Sequence, residues 1–305
     1  RTQSVSTGPR VRTMPLPLES VPNFSEGRDA AVIKAIGRAL AEKAELLDVH
    51  TDPDHNRTVF TLVGDDRELV DALVAGIAVA RDRIDLRKHE GVHPRIGAAD
   101  VVPIVPIRPE DMERARAAAL ELARRVGTEV GLPVCLYGEI GAGRGPAFFR
   151  RGGTVELQRR IDGGELSPDF GPRQLDPAAG GVIVGARRPL IAFNVNLVGA
   201  NVEAAREIAA VVRERDGGFP GVRALGLDLP SAGQAQVSMN VEDWEASSLH
   251  EIIAAIEREA AARGVEVAGA ELVGLMPAGA AAAAAGAILR IDGFDASRLL
   301  ELRLL

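Results

Sequence analysis

An α+β fold built from two successive β-α-β-β-α-β units is what this sequence predicts. Three observations predict it. The chain has 305 residues, enough for two domains or one large one. Segments of period-2 and of helical apolar spacing alternate in the order strand, helix, strand, strand, helix, strand. The same order then returns in the second half.

Residues 19–25 read as a strand ending in the polar turn Asn23-Phe24-Ser25-Glu26-Gly27. Val32, Ile33, Ile36 and Leu40 follow at helical spacing. Residues 46–51 form a strand, Asp52-Pro53-Asp54 a turn, and residues 57–63 a strand of β-branched and aromatic residues. Asp65 or Asp66 caps a helix with Leu69, Leu73, Ile77 and Ile84 on one face. Residues 100–107 return as an apolar strand. Pro103 and Pro106 place it at an edge or a bulge, because proline has no N–H for a ladder. A helix at 109–126 and a strand at 133–137 extend the unit. Residues 141–176, rich in Gly, Arg and Pro, read as a functional loop or linker with one helical piece around 155–161. In the second half, residues 189–197 are a strand. Asn201 caps a helix carrying Val202, Ala205, Ile208 and Val212, stopped by Gly217-Gly218. Residues 222–229 and 234–241 are strands, the latter alternating Ala235, Val237, Met239 and Val241 on one face. Ser248-Leu249-His250-Glu251 is a capping box opening a helix through Arg263, and residues 265–275 are the last strand. The run 280–285 reads as a helix with weak packing demands. This element order is that of the ferredoxin-like split βαβ unit. Two ferredoxin-like subdomains are expected, residues 18–180 and 181–305, joined near 170–185, after an extension over 1–17.

Composition narrows the function. Hydrophobic residues make up 46% and charged residues 26%, which excludes a disordered chain. A single cysteine, Cys135, excludes a disulfide scaffold and reads as a small buried hydrophobe. The net charge of −7 argues against a general nucleic-acid or anionic-membrane binder. No apolar run reaches the roughly 18–20 residues of a membrane helix. Residues 1–13 hold three arginines and no apolar stretch. They read as a disordered extension, a tag remnant or a misassigned start ahead of Met14, with a short transit sequence as the alternative. A reducing cytoplasm is the expected compartment.

Four of five histidines, His50, His55, His89 and His93, fall between residues 50 and 93, among Asp48, Asp52, Asp54, Arg57, Arg95 and Asp100. That concentration predicts a polar site; the fifth, His250, reads as a surface residue. His89-Glu90-Gly91-Val92-His93 matches the H-E-x-x-H zinc pattern. The pattern needs a helix to bring both imidazoles to one face. Gly91 inside the motif and Pro94 after it argue for a loop. A set drawn from His50, Asp52 and His55 is the other metal option, and no metal is expected. Gly141-Ala142-Gly143-Arg144-Gly145 lacks the ending of a phosphate-binding loop. Ser25 and Ser238 carry no nucleophile signature. In His93-Pro94-Arg95-Ile96-Gly97, a stiff proline and a permissive glycine can fix an imidazole beside a guanidinium. The imidazole moves protons near neutral pH. The guanidinium holds a carboxylate or phosphate, or alternatively ties the loop to Asp48 or Asp100.

Several long motifs resemble the glutamate formimidoyltransferase (formiminotransferase) family. They are Val21-Pro22-Asn23-Phe24-Ser25-Glu26-Gly27, Leu47-Asp48-Val49, Asn56-Arg57-Thr58-Val59 and Lys88 through Val101. Leu136-Tyr137-Gly138-Glu139, Pro168-Asp169-Phe170-Gly171-Pro172, Val184-Gly185-Ala186-Arg187, Leu190 through Leu197 and Glu271-Leu272-Val273-Gly274-Leu275 continue in order. The resemblance runs from about Leu18 to the C-terminus and concerns the transferase part alone, so no cyclodeaminase domain is expected. It implies movement of a formimino group between N-formimino-L-glutamate and tetrahydrofolate in histidine degradation, with tetrahydrofolate as co-substrate. It also implies a homodimer and a folate tunnel between the two subdomains. His93, before Pro-Arg, matches the family's catalytic histidine. Residues 171–180 match its folate-contacting stretch, keeping Gly171, Pro172, Pro177 and Gly180. His50 departs from the pattern, because the animal enzymes tend to carry an acid there.

In the mechanism this implies, N5 of tetrahydrofolate attacks the formimino carbon and glutamate leaves as the amine. One imidazole, His93, takes the proton from N5 and returns it to the departing nitrogen. Asp48, Asp100 or Glu139 orients it, Arg95 holds a carboxylate, and Asn23, Asn194 and Asn196 bond the pterin or the formimino nitrogen. The other readings are transfer from a formyl or different formimino donor, a non-catalytic folate-binding module, and a zinc hydrolase.

Overall fold

The computed structural model describes residues 15–199, 201–300 and 302. The extension expected over 1–17 therefore lies outside the described residues, apart from Pro15–Pro17. The first half runs β1 (Leu18–Ser20), β2 (Asn23–Phe24), α1 (Ala30–Ala41), β3 (Glu45–Asp52), β4 (Arg57–Gly64), α2 (Asp66–Arg83) and β5 (Ala99–Pro106). It continues with α3 (Met112–Arg125), β6 (Val134–Gly138), α4 (Pro146–Arg150), α5 (Gly153–Asp162) and β7 (Val182–Ala186). The second half runs β8 (Ile191–Val198), α6 (Val202–Val212), β9 (Val222–Leu229), β10 (Gln234–Val241), α7 (Leu249–Ala262), β11 (Glu266–Val273) and α8 (Ala278–Leu289). The fold is α+β with two sheets.

In the first sheet β3 pairs β4, and β1 and β2 lie end to end between β4 and β5. These pairs are antiparallel. β7 then adds parallel to β5, and β6 parallel to β7. The second sheet has the order β11-β8-β10-β9, antiparallel throughout. The sheets change over between Ala186 and Ile191, later than the division at 180/181 expected from the sequence, because Val182–Ala186 completes the first sheet.

Two element expectations are corrected. β5 is a fully buried central strand and not an edge, while the irregularity expected as the alternative is present as a register shift against β2, between Val101 and Ala99. Its proline is accommodated by the neighbour: β1 stops at Ser20 opposite Ile104 and β2 resumes at Asn23 opposite Val101. Pro103 faces that interruption, so no ladder N–H is missing, and its carbonyl accepts the Ser20 hydroxyl at 2.6 Å. The connecting stretch holds two helices, α4 and α5, rather than one. Five residues give α4 no periodicity to read, but its Phe149 is buried.

The caps follow the sequence. Asp29, Asp65 and Asn201 each accept backbone N–H groups of the helix they open. Ser248 opens α7, yet its hydroxyl bonds the Glu251 carboxylate at 2.6 Å and not a backbone N–H.

Helices cover one face of each sheet. Val32, Ile36 and Leu40 of α1 and Leu69, Leu73 and Ile77 of α2 bury against Phe24 and Phe60, whose rings meet edge to face at 5.5 Å. α6 and α7 cover Ile191, Val195, Val237 and Met239 of the second sheet. On the far face of the first sheet, α4 and α5 bury Ile96, Val101, Cys135, Tyr137 and Ile183. The Cys135 thiol is pushed up to about 12 by burial, which leaves it inert. What stays uncovered is the remainder of that face, opposite the polar face of the second sheet. Those two faces enclose a cleft.

Candidate active site

The cleft holds about 940 Å³. β3 and β4 contribute His50, Asp52, Arg57 and Val59 to its wall, the loop after α2 contributes His93, and residues 137–150 and 186–190 form one side. Alternation brings Asn194 of β8 and Ser238 and Asn240 of β10 to the opposite side. Arg57, Arg144, Arg150, Arg187, Arg188, Arg213, Arg215 and Arg223 lie along the wall, against Asp52, Glu139 and Glu242. An acidic protein thus encloses an electropositive chamber, suited to an anionic ligand.

α2 ends at Arg83, and one short turn over Leu86–Lys88 precedes an irregular loop. The loop is tied down at its far end. The Ser25 hydroxyl donates to Gly97 O at 2.7 Å, Ala98 N to Ala179 O at 2.8 Å and Gly181 N to Ile96 O at 3.0 Å. Gly97 is packed so closely on the Gly181 carbonyl that no Cβ fits. This loop defeats the zinc geometry. His89 Nε2 lies 3.1 Å from Asn56 O, while His93 Nδ1 lies 2.8 Å from Pro94 O. The two rings bind different carbonyls and share no helix face.

His93 lies in the cleft wall. A carbonyl only accepts, so the bond to Pro94 places the proton on Nδ1 and leaves the Nε2 lone pair free. Burial first, then the positive charges of Arg57, Arg150, His55 and Arg95, hold its pKa well below the usual imidazole value. It is a neutral base at neutral pH. The His55 ring lies 5.8 Å away, centroid to centroid.

Arg95 does not take the expected place. Its Nε and one terminal nitrogen donate to His93 O at 3.1 and 2.8 Å, that nitrogen also to His55 O at 2.8 Å, and the other to Asn56 O at 3.0 Å. It is a clamp on three loop carbonyls, outside the cleft wall. Its pKa, down to about 10 chiefly through burial, leaves it charged. Neither Asp48 nor Asp100 is its partner. Asp100 is buried behind the loop, accepting Ile96 N at 2.7 Å and Arg150 Nε at 2.9 Å. Asp48 is half-buried on β3 and stops short of the wall.

His50 reaches across to the second half. Its Nε2 lies 3.3 Å from Glu271 Oε1, and Asn194 Nδ2 donates to Glu271 Oε2 at 3.2 Å. The bond to Glu271 raises the His50 pKa, and the same bond lowers that of Glu271. Glu139 lines the cleft and is paired with Arg116 at 2.5 Å. Asn196 accepts Gln236 Nε2 at 2.9 Å below the wall, and Asn23 is buried in β2, donating to Val21 O at 2.8 Å. Gly171, Pro172, Pro177 and Gly180 do not line the cleft. Gly171 and Gly180 are both at positive φ: Gly180 packs on Ile96 O and backs the His93 loop, while Gly171 packs on Leu132 O ahead of β6.

The arginine wall was missed. Its members come from positions 57 to 223 and have no local spacing to detect. Arg57 carried the one usable signal, two residues from His55. Its pKa is pushed down to about 9 by burial and then by Arg150, which leaves it charged at neutral pH.

Comparison with known proteins gives a consistent result. The formiminotransferase domain's N-terminal subdomain matches residues 17–187, and the formiminotransferase domain matches residues 192–293. The glutamate formimidoyltransferase of Thermoplasma acidophilum is 40% identical over 293 residues, 93% of this chain and 96% of that protein. That of Streptococcus pyogenes serotype M1 is 40% identical over 285 residues, 91% and 95% of the two chains. The formimidoyltransferase-cyclodeaminase of Sus scrofa is 41% identical over 271 residues, 85% of this chain and 50% of that protein.

Proposed function

The chain belongs to the formiminotransferase family, and from that premise we propose that it transfers a formimino group between N-formimino-L-glutamate and tetrahydrofolate. The single observation that carries the chemistry is His93, a neutral imidazole with a free Nε2 in an arginine-lined cleft. His93 Nε2 takes the proton that N5 sheds as it attacks the formimino carbon, and returns it to the departing glutamate nitrogen. The arginines receive the carboxylates of both substrates. Asn194, fixed by Glu271, faces the same space and offers an amide to the pterin or the amidine. Enclosing both substrates in one chamber supplies orientation.

The volume and charge of the cleft fit a folate with its glutamyl tail. We read each half as a ferredoxin-like unit, the halves meeting after Ala186, with the cleft as the ligand tunnel. The strand order of the second sheet supports that reading. We also propose a homodimer working in the cytoplasm; no helix among the described residues is long and apolar enough to cross a membrane.

The test is a coupled assay with purified protein, N-formimino-L-glutamate and tetrahydrofolate, read as methenyltetrahydrofolate after acid conversion. Folate-dependent product is expected. Product from formylglutamate alone would replace the donor, and tight folate binding without transfer from either donor would make the protein a binding module.

A further inference from the structure

Among the arginines that act on His93, one has no hydrogen-bond or ion-pair partner among the described residues. Arg95 is spent on carbonyls and Arg150 on Asp100. Arg57 opens β4 and lines the cleft, and its Nε is buried without a hydrogen-bond partner. Asp52 and Asp100 act on Arg57 at longer range, but neither forms an ion pair with it. Asp100 holds Arg150 and the Ile96 N–H. Asp52 accepts the His55 N–H at 2.8 Å and lies 3.8 Å from His55 Nε2. A guanidinium with a buried, unpartnered Nε and no ion pair of its own is costly, and the cost is tolerable where a ligand in the cleft supplies a facing carboxylate.

We propose that Arg57 holds a carboxylate of the formimino donor beside His93. The inference rests on the transfer reading above. A planar fork on a carboxylate makes two parallel charge-assisted bonds, which fixes the orientation of the donor as well as its position.

A consequence follows for the base. The charged groups facing His93 are Arg57 on β4, Arg150 on α4, His55 in the turn between β3 and β4, and Arg95 in its own loop. Asp52 lies in the cleft wall, and Asp100 is buried behind the loop. Arg57 is the charge that weakens His93 most. A docked carboxylate cancels that charge, so His93 becomes a stronger base only once the donor is in place. The free enzyme keeps a weak base, and binding strengthens it.

The probe is L-glutamate, which the donor releases and which does not react by itself. Histidine NMR titration of the wild-type protein should show the His93 midpoint rising on saturation with L-glutamate. In Arg57→Gln the midpoint should start higher and glutamate should leave it unmoved. The KM for the donor should rise by at least about tenfold, with that for tetrahydrofolate within about twofold. Arg57→Lys should keep the His93 midpoint low while still raising the donor KM, because it retains the charge and loses the fork. A wild-type midpoint indifferent to glutamate, or an unchanged donor KM in Arg57→Gln, overturns the proposal. An effect confined to tetrahydrofolate overturns it too, by giving the carboxylate to the folate tail. The titration needs no turnover. A glutamate-dependent shift that vanishes in Arg57→Gln, in a protein that transfers no formimino group, sinks the transfer reading and leaves the carboxylate site standing.

Discussion

His93 and Arg95 are two residues apart and face opposite demands. His93 presents a lone pair to the cleft, and Arg95 keeps the loop in the shape that makes this possible. His93→Ala should fold normally and lose at least about 10²-fold in kcat. Near-normal turnover in a folded protein would end its assignment as the base. Arg95→Lys should lower kcat by about tenfold or more through misplacement of His93, with the donor KM unchanged, because one ammonium cannot span three carbonyls. A raised donor KM at full kcat would return Arg95 to substrate binding. The motif His93-Pro94-Arg95-Ile96-Gly97 announced an imidazole and a guanidinium side by side, and both are there. Which groups claim the guanidinium was illegible. Carbonyls of His55 and Asn56, some 40 positions upstream, compete with a substrate carboxylate, and backbone oxygens leave no mark in a sequence.

Among the elements, the second sheet was the more legible. Ala235, Val237, Met239 and Val241 share its buried face, and residues 222–229 and 234–241 lie where the pattern put them. The first sheet hid more. The short run Val182–Ala186 follows Gly180-Gly181 at the end of a Gly-rich segment, so it looked like linker; only its parallel neighbours make it a strand. Pro103 misled for a different reason. The rule that prolines avoid central strands assumes an unbroken partner, and here the partner is broken at Val21–Pro22. Gly180 packs closely on Ile96 and supports the loop that carries His93. Gly97→Ala tests that support. Its Cβ would strike the Gly181 carbonyl. Loss of roughly 1–3 kcal/mol in urea unfolding is expected, with reduced turnover. Wild-type stability and turnover together would show that the backing strand yields freely.

At the scale of the molecule, the halves touch beside the cleft through His50 with Glu271 and through Asp54 with Ser231. The His50 pKa is raised, so its share of stability is complete below the ordinary imidazole value of 6.5 and is lost as pH rises through the folded-state value. The Glu271 pKa is lowered, so its share is complete above the ordinary 4.5 and is lost as pH falls through the folded-state value. The pair therefore holds the halves most firmly between pH 4.5 and 6.5. Glu271→Gln should lower Tm most within that window, and the difference from wild type should shrink above it. A difference that ignores pH would mean the pair is not ionic.

β6 takes β7 as its ladder partner along one edge, and on the other edge Val134 bridges Phe170. On the ribosome β6 emerges about 50 residues before its partner, a wait of several seconds at ordinary rates of synthesis. Until β7 is made, β5 lacks the parallel partner it has in the folded sheet, and an unpaired apolar edge is a template for aggregation. The same late segment carries Gly180 and Gly181, the backing of the His93 loop. Residues 180–186 therefore cover the second edge of β5 and back the His93 loop together, once synthesis has passed Val182.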